Sequence, residues 1–195
     1  MRHTLARALS IVGHPLCVVP LASLVAIASH GLGWRAVWVT AIFFVSLSLI
    51  VLAFAWRQVR AGRWQDIDAS NVTERRSLNY FLAIVLFTGA FISFRQSQPL
   101  GLTLGLLMSG SLVVLVMLLS HWVKVSLHVG FLVYSTAILW YSGVWFVAIG
   151  LCLATAVAWS RLELRRHTLV DIVLGGIVGG IASRLFWVLL LHLLR

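Results

Sequence analysis

Apolar residues run in long blocks along this chain, and short polar segments divide them. Seven blocks, 11–31, 36–56, 78–94, 100–121, 125–141, 143–159 and 168–192, read as membrane-spanning helices. The shortest are near the lower limit of about 17 residues for crossing a bilayer. The pattern predicts an all-α integral membrane protein, one transmembrane domain over 1–195, with a bundle of about seven helices and six possible. Pro15 and Pro20 are expected to kink the first span, and GLGWR (31–35), RQSQP (95–99) and Tyr141–Gly143 to form tight turns. Gly175/Gly179 and Gly176/Gly180 give the last span a small-xxx-small face for close packing within the chain. Two spans separate segment 57–77 from 121–128, and two more separate that from 160–171. The parity places all three polar segments on one side of the membrane.

Composition narrows the class. Hydrophobic residues make up 61% of the 195, with a mean hydropathy of +1.02, which excludes a soluble domain. The five acids, Asp66, Asp68, Glu74, Glu163 and Asp171, all fall in 57–77 and 160–171. Ionisable groups are costly in hydrocarbon, so their clustering marks the working surface. A net charge of +10 could suggest nucleic acid, but no soluble domain remains to bind it. Anionic headgroups or a phosphorylated lipid are the expected partners. Cys17 and Cys152 have no metal-ligand spacing and predict neither a disulfide framework nor a zinc site. Arg2 and Arg7 precede an apolar run too long for a cleaved leader, which reads as a retained signal anchor.

The candidate chemistry centres on SRLELRRHTLVD (160–171). A helix starting near Thr168 would put His167 and Asp171 on one face, where a carboxylate fixes the imidazole's tautomer and raises its basicity. Arg161, six residues upstream of His167, offers a planar fork of donors for phosphate. HWVKVSLH (121–128) adds His128, Ser126 and Lys124, the only lysine in the chain. Segment 57–77 carries five arginines and three acids, ending in Arg75 and Arg76.

Together these segments resemble the type 2 phosphatidic acid phosphatase (PAP2) family of membrane lipid phosphatases. That family carries Lys-x6-Arg-Pro, Pro-Ser-Gly-His and Ser-Arg-x5-His-x3-Asp in chain order. The third motif is complete as Ser160, Arg161, His167 and Asp171. The second keeps Ser126 and His128 in Val125-Ser126-Leu127-His128, without the Pro and Gly. In the first, if Arg75 is the arginine, Asp68 stands at the lysine and Arg76 at the proline. The resemblance implies a PAP2-like core and a phosphohistidine mechanism needing neither metal nor cofactor. In it His167 attacks phosphorus, Asp171 orients its ring, and His128 protonates the leaving lipid oxygen. Arg161, Arg75 and Ser126 would hold the phosphate, with Ser160 and Arg76 in the same binding set. Lys124 is the expected substitute for the missing first-motif lysine.

The expected substrate is an isoprenoid phosphate or diphosphate, or a glycerophospholipid phosphate, with phosphotransfer as the close variant. A non-catalytic lipid-binding protein and a cytochrome using His14, His30, His121 or His192 as haem ligands are the readings from other classes. Eleven basic residues flank the site side (Arg2, Arg7, Arg57, Arg60, Arg63, Arg75, Arg76, Lys124, Arg161, Arg165, Arg166), against Arg35, Arg95 and Arg195 opposite. Positive charge collects inside, so the site is expected to face the cytoplasm of, in all, a bacterial inner-membrane protein.

Overall fold

The computed structural model describes residues 2–67, 69 and 71–194, Tyr141 by its backbone alone. Its described residues form eight α-helices and one 3-10 turn. They are α1 (Arg2–Val12), α2 (Pro15–Ser29), α3 (Gly33–Arg60), α4 (Val72–Arg95), α5 (Leu100–Leu119), α6 (Leu127–Ile138), the turn Leu139–Ser142, α7 (Val144–Glu163) and α8 (Leu169–Leu193). Five of them, α3, α4, α5, α7 and α8, are long and apolar enough to cross a membrane, and the bent α1–α2 pair is either a broken sixth span or a re-entrant loop. The protein is therefore an all-α membrane protein. α6 has 12 residues, about 18 Å of helix against a hydrocarbon core of about 30 Å. The 3-10 turn prolongs it toward the return into α7.

The first span differs from its expected form. It is two helices meeting at 50°, and the break falls at Gly13–His14 rather than at the internal proline. Pro15 has no N–H and suits the first turn of a new helix. The His14 side chain caps that helix, its Nδ1 accepting the Leu16 N–H at 3.2 Å. Pro20 sits inside α2 without ending it. α1 packs along α7, burying Ala6 and Ser10.

Pairwise registers give the direction of every helix. Ser126 meets Asp171, Gly130 meets Gly175 and Gly179, and Ala137 meets Trp187, so α6 and α8 run parallel. The Tyr134 hydroxyl donates to the Gly105 carbonyl at 3.1 Å while Gly130 lies near Leu112, so α5 runs opposite to α6. Ser93 with Thr103 and Phe87 with Gly110 set α4 against α5. Phe43 with Gly89 and Phe54 with Phe81 set α3 against α4. Thr136 with Gly150 reverses α7 on α6, and Gly13 with Val157 and Ser10 with Arg161 reverse α1 on α7. It follows that segments 57–77, 121–128 and 160–171 all emerge at one end of the bundle. The start of α1 is there too.

α6 and α8 approach closely through glycines. A Cβ on Gly175 would lie 2.5 Å from the Ser126 carbonyl oxygen, and one on Gly179 would overlap the Gly130 carbonyl. Both obstacles are backbone, which cannot swing aside. Gly176 and Gly180, on the adjacent face, have nothing within 4 Å. The two glycine pairs are therefore separable by experiment. Gly175→Ala and Gly179→Ala are each expected to destabilise the protein by about 1–3 kcal/mol through overpacking. Gly176→Ala and Gly180→Ala should stay within about 0.5 kcal/mol of wild type. Thermal unfolding in detergent checks this, and equal effects at all four positions would refute the internal role of the first pair.

Candidate functional site

The 160–171 stretch is a helix stop followed at once by a helix start. At the end of α7 the Arg166 N–H donates to the Arg161 carbonyl at 3.0 Å and the Arg165 N–H to the Leu162 carbonyl at 2.9 Å. That is a Schellman turn, and it holds Arg165 at φ 51°, a left-handed conformation usually taken by glycine. The His167 N–H also reaches the Arg161 carbonyl, at 3.3 Å. Thr168 then caps α8 in a reciprocal box: its Oγ1 accepts the Asp171 N–H at 3.3 Å, and Asp171 Oδ2 accepts the Thr168 N–H at 2.9 Å. The spacing Arg-x5-His-x3-Asp thus has a backbone cause. It is what one tight stop and one capped start require.

Asp171 Oδ2 also lies 3.2 Å from His167 Nδ1. An ionised carboxylate only accepts hydrogen bonds, so Nδ1 carries the ring proton and Nε2 keeps a free lone pair. Both side chains are more than nine-tenths shielded from solvent. Burial lowers the His167 pKa to about 4, aided by the positive charges of Arg161 and Lys124, while the bond to Asp171 and its charge pull the other way. The imidazole is neutral near pH 7. The carboxylate orients the ring without protonating it.

The second segment joins this turn through the backbone. The Ser126 N–H donates to the Asp171 carbonyl at 3.0 Å, placing the start of α6 beside the first turn of α8. His128, one residue into α6, lies where Arg161, His14, His167 and Arg166 act on it electrostatically. The Ser126 hydroxyl is fully buried and has no hydrogen-bond partner. A buried hydroxyl left unmatched costs free energy, which a ligand oxygen could recover. Lys124 is exposed, and its Nζ donates to the Arg166 carbonyl at 2.7 Å. That bond bridges the second and third segments and brings the ammonium into the field of His167.

Arg161 is only 5% exposed, and its Nη1 donates to the Ser10 hydroxyl at 2.8 Å. Ser160 is buried beside it, but its hydroxyl donates to the Val157 carbonyl within α7 at 2.8 Å. The structure also assembles residues that sequence reasoning missed. Ser10 and His14 come from the α1–α2 break, and the His14 ring meets the His128 ring edge-on, with centroids 5.1 Å apart and planes at 88°. The available signal was Gly13-His14-Pro15, a helix-restart pattern inside an apolar block. Among the described residues, no three or more His, Cys, Asp or Glu are grouped to share a metal ion.

Segment 57–77 is organised around itself. Glu74 and Asn71 form the capping box of α4, and Glu74 Oε1 also accepts the Gln65 N–H at 2.9 Å and Asn71 Nδ2 at 2.7 Å. Glu74 therefore closes the loop. Trp64 packs with Ala55 and Ala69, and Arg60 lies 4.3 Å over the Trp56 ring. Arg75 is half-buried and Arg76 exposed on the first turn of α4. Neither is among the groups that act on His128 or His167. The site brings together His167, Asp171, His128, Ser126, Arg161 and Lys124, and does not draw in Arg75 or Arg76. Asp68, read as occupying the first-motif lysine position, lies outside the described residues.

No protein-family model, curated protein or solved structure matches the chain.

The lowered His167 pKa has a measurable sign. Between pH 6.5 and about 4 the unfolded chain binds a proton that the native ring refuses, so this group erodes stability as pH falls through that window. NMR of histidine-labelled protein should show a neutral His167 ring at pH 6 and a midpoint near 4. Asp171→Asn should move the midpoint lower still. A midpoint of 6.5 would mean that the ring is neither desolvated nor flanked by cations.

Proposed function

We propose that the chain is a metal-independent phosphatase acting on a membrane lipid phosphate, an isoprenoid phosphate or diphosphate or a glycerophospholipid phosphate, through a phosphohistidine. The observation that carries this reading is a neutral, carboxylate-oriented imidazole, His167, beside the buried cation of Arg161. A nucleophile needs its lone pair, and a phosphoryl group needs positive charge on its equatorial oxygens. The unmatched Ser126 hydroxyl supports the same reading, as does the resemblance to the PAP2 motifs.

In this mechanism His167 Nε2 forms a bond to phosphorus as the bond to the lipid oxygen breaks. That oxygen takes a proton from His128, a proton that the negative charge of the bound phosphate must hold on the ring against burial and the cations around it. Water then attacks phosphorus, the N–P electron pair returns to His167, and the water's proton restores His128. A lipid or sugar hydroxyl in place of water would make the same site a phosphotransferase. Arg161, Lys124 and Ser126 form the phosphate cradle, with Lys124 supplying the cation that the first segment lacks. The site end faces the cytoplasm of a bacterial inner membrane by its excess of basic residues. An impermeant thiol reagent on intact cells should leave Gly62→Cys unlabelled in a chain whose two cysteines are replaced by serine, and labelling would reverse this orientation.

The central test is phosphate release from a panel of lipid phosphates by purified protein. His167→Ala is expected to abolish release. Lys124→Ala should lower kcat/KM about tenfold, the worth of about 1.4 kcal/mol, and by more than Arg75→Ala does. Full turnover by Lys124→Ala alongside loss in Arg75→Ala would show the cradle to be wrongly composed. Absence of any His167-dependent release would leave lipid binding without catalysis as the function.

A further inference from the structure

The break between α1 and α2 sits against two groups of the proposed chemistry, Arg161 and His128. Ser10 Oγ accepts a hydrogen bond from the buried guanidinium of Arg161 at 2.8 Å. Four residues later the His14 ring stands edge-on to His128, 5.1 Å between centroids. Gly13, between them, presses on Val157 of α7 so closely that a Cβ would overlap its side chain. Three consecutive contacts thus lock this corner of the chain onto α7 and the start of α6. The His14 ring is itself fixed, because its Nδ1 accepts the Leu16 N–H and caps α2. A capped ring cannot rotate freely, so it makes a firm wall for its neighbour.

We propose that this corner is part of the site: Ser10 positions the Arg161 fork, and His14 positions the His128 ring for proton donation to the leaving oxygen. The proposal rests on the hydrolase reading and adds two positioning residues to it. A planar guanidinium gains from a fixed orientation because its donors act as a fork, so losing the Ser10 bond should weaken phosphate binding. A general acid must lie within hydrogen-bond reach of one oxygen, so a His128 ring free to turn loses efficiency. That loss falls only on leaving groups that need a proton.

The test uses full-length protein and two substrates, an alkyl lipid phosphate and p-nitrophenyl phosphate, whose leaving group departs without help. Asparagine caps a helix well, so His14→Asn keeps the cap of α2 and removes only the ring facing His128. Its kcat on the alkyl phosphate should fall about tenfold and on the aryl phosphate by no more than about twofold. Wild-type turnover of the alkyl phosphate, or an equal loss on both, would overturn the role of His14. His128 ring resonances provide a readout independent of turnover. They should form one sharp set in wild type and broaden in His14→Asn, and an unchanged ring would likewise overturn it. For Ser10, the dissociation constant of inorganic phosphate should rise about fivefold in Ser10→Ala and recover in Ser10→Thr. An unchanged constant in Ser10→Ala, or one that Ser10→Thr fails to restore, would overturn that half. Wild-type protein that binds phosphate through Ser10 and orders His128 through His14, yet releases nothing from either substrate, would sink the hydrolase reading and leave the positioning roles standing.

Discussion

The site depends on one backbone hydrogen bond, from the Ser126 N–H to the Asp171 carbonyl, and on the absence of a side chain at Gly175. The bond forms where α6 begins and α8 makes its first turn, and the glycine face lets the two backbones come that close. In hydrocarbon no hydrophobic force drives helices together, so backbone contact of this kind carries much of the packing. Asp171 is the third residue of α8 and orients His167. His128 is the second residue of α6. The two histidines are therefore held on the two partners of the same crossing, at its N-terminal end, and a shift of α6 along α8 would separate them.

The electrostatic balance follows from that geometry. Arg161 and Lys124 act on His167 with one sign and Asp171 with the other, on a ring largely shielded from solvent. Burial and the cations prevail, and the ring stays neutral. Had the carboxylate prevailed, the imidazole would be charged near neutral pH and its lone pair unavailable. Asp171 keeps its influence as an orienting group because Thr168 fixes the same oxygen in the capping box. One side chain thus starts a helix and aims a ring.

The pattern of apolar blocks made the all-helical membrane architecture legible, but not the count of seven: among the described residues five helices are long enough to cross, six if the bent pair is one span, and α6 has only 12 residues. The pairing of His167 with Asp171 was legible, because a stop–start turn fixes that spacing locally. What failed was whatever depends on distant packing. A kink at Pro15 was anticipated, but the contacts that Ser10 and His14 make at the break were hidden in an apolar run. Ser160 belongs to the motif, yet its hydroxyl faces its own helix, and side-chain rotamers are not written in spacing. Arg75 and Arg76 were grouped with the site by order along the chain, whereas α4 packs mainly on α5 and their loop closes on Glu74 and Trp64.

The N-terminal helix suggests why so small a chain can build a site at the membrane boundary. α1 buries Ala6 and Ser10, four apart, on α7 and leaves Arg2, Arg7, Leu5, Ile11 and Val12 exposed. A helix with basic and apolar residues both exposed is suited to the headgroup layer. α1 lies at the bundle end where Lys124 and the arginines of the polar segments emerge, and its last turn touches Arg161. A phosphate carried on a bilayer lipid, the substrate proposed above, would meet this end at headgroup depth. Such a substrate needs no soluble domain to capture it, because the membrane already supplies concentration and orientation. For the proposed reaction the protein would add a fixed cation and an oriented imidazole at that depth, and the stop–start turn at 160–171 holds Arg161 and His167 together.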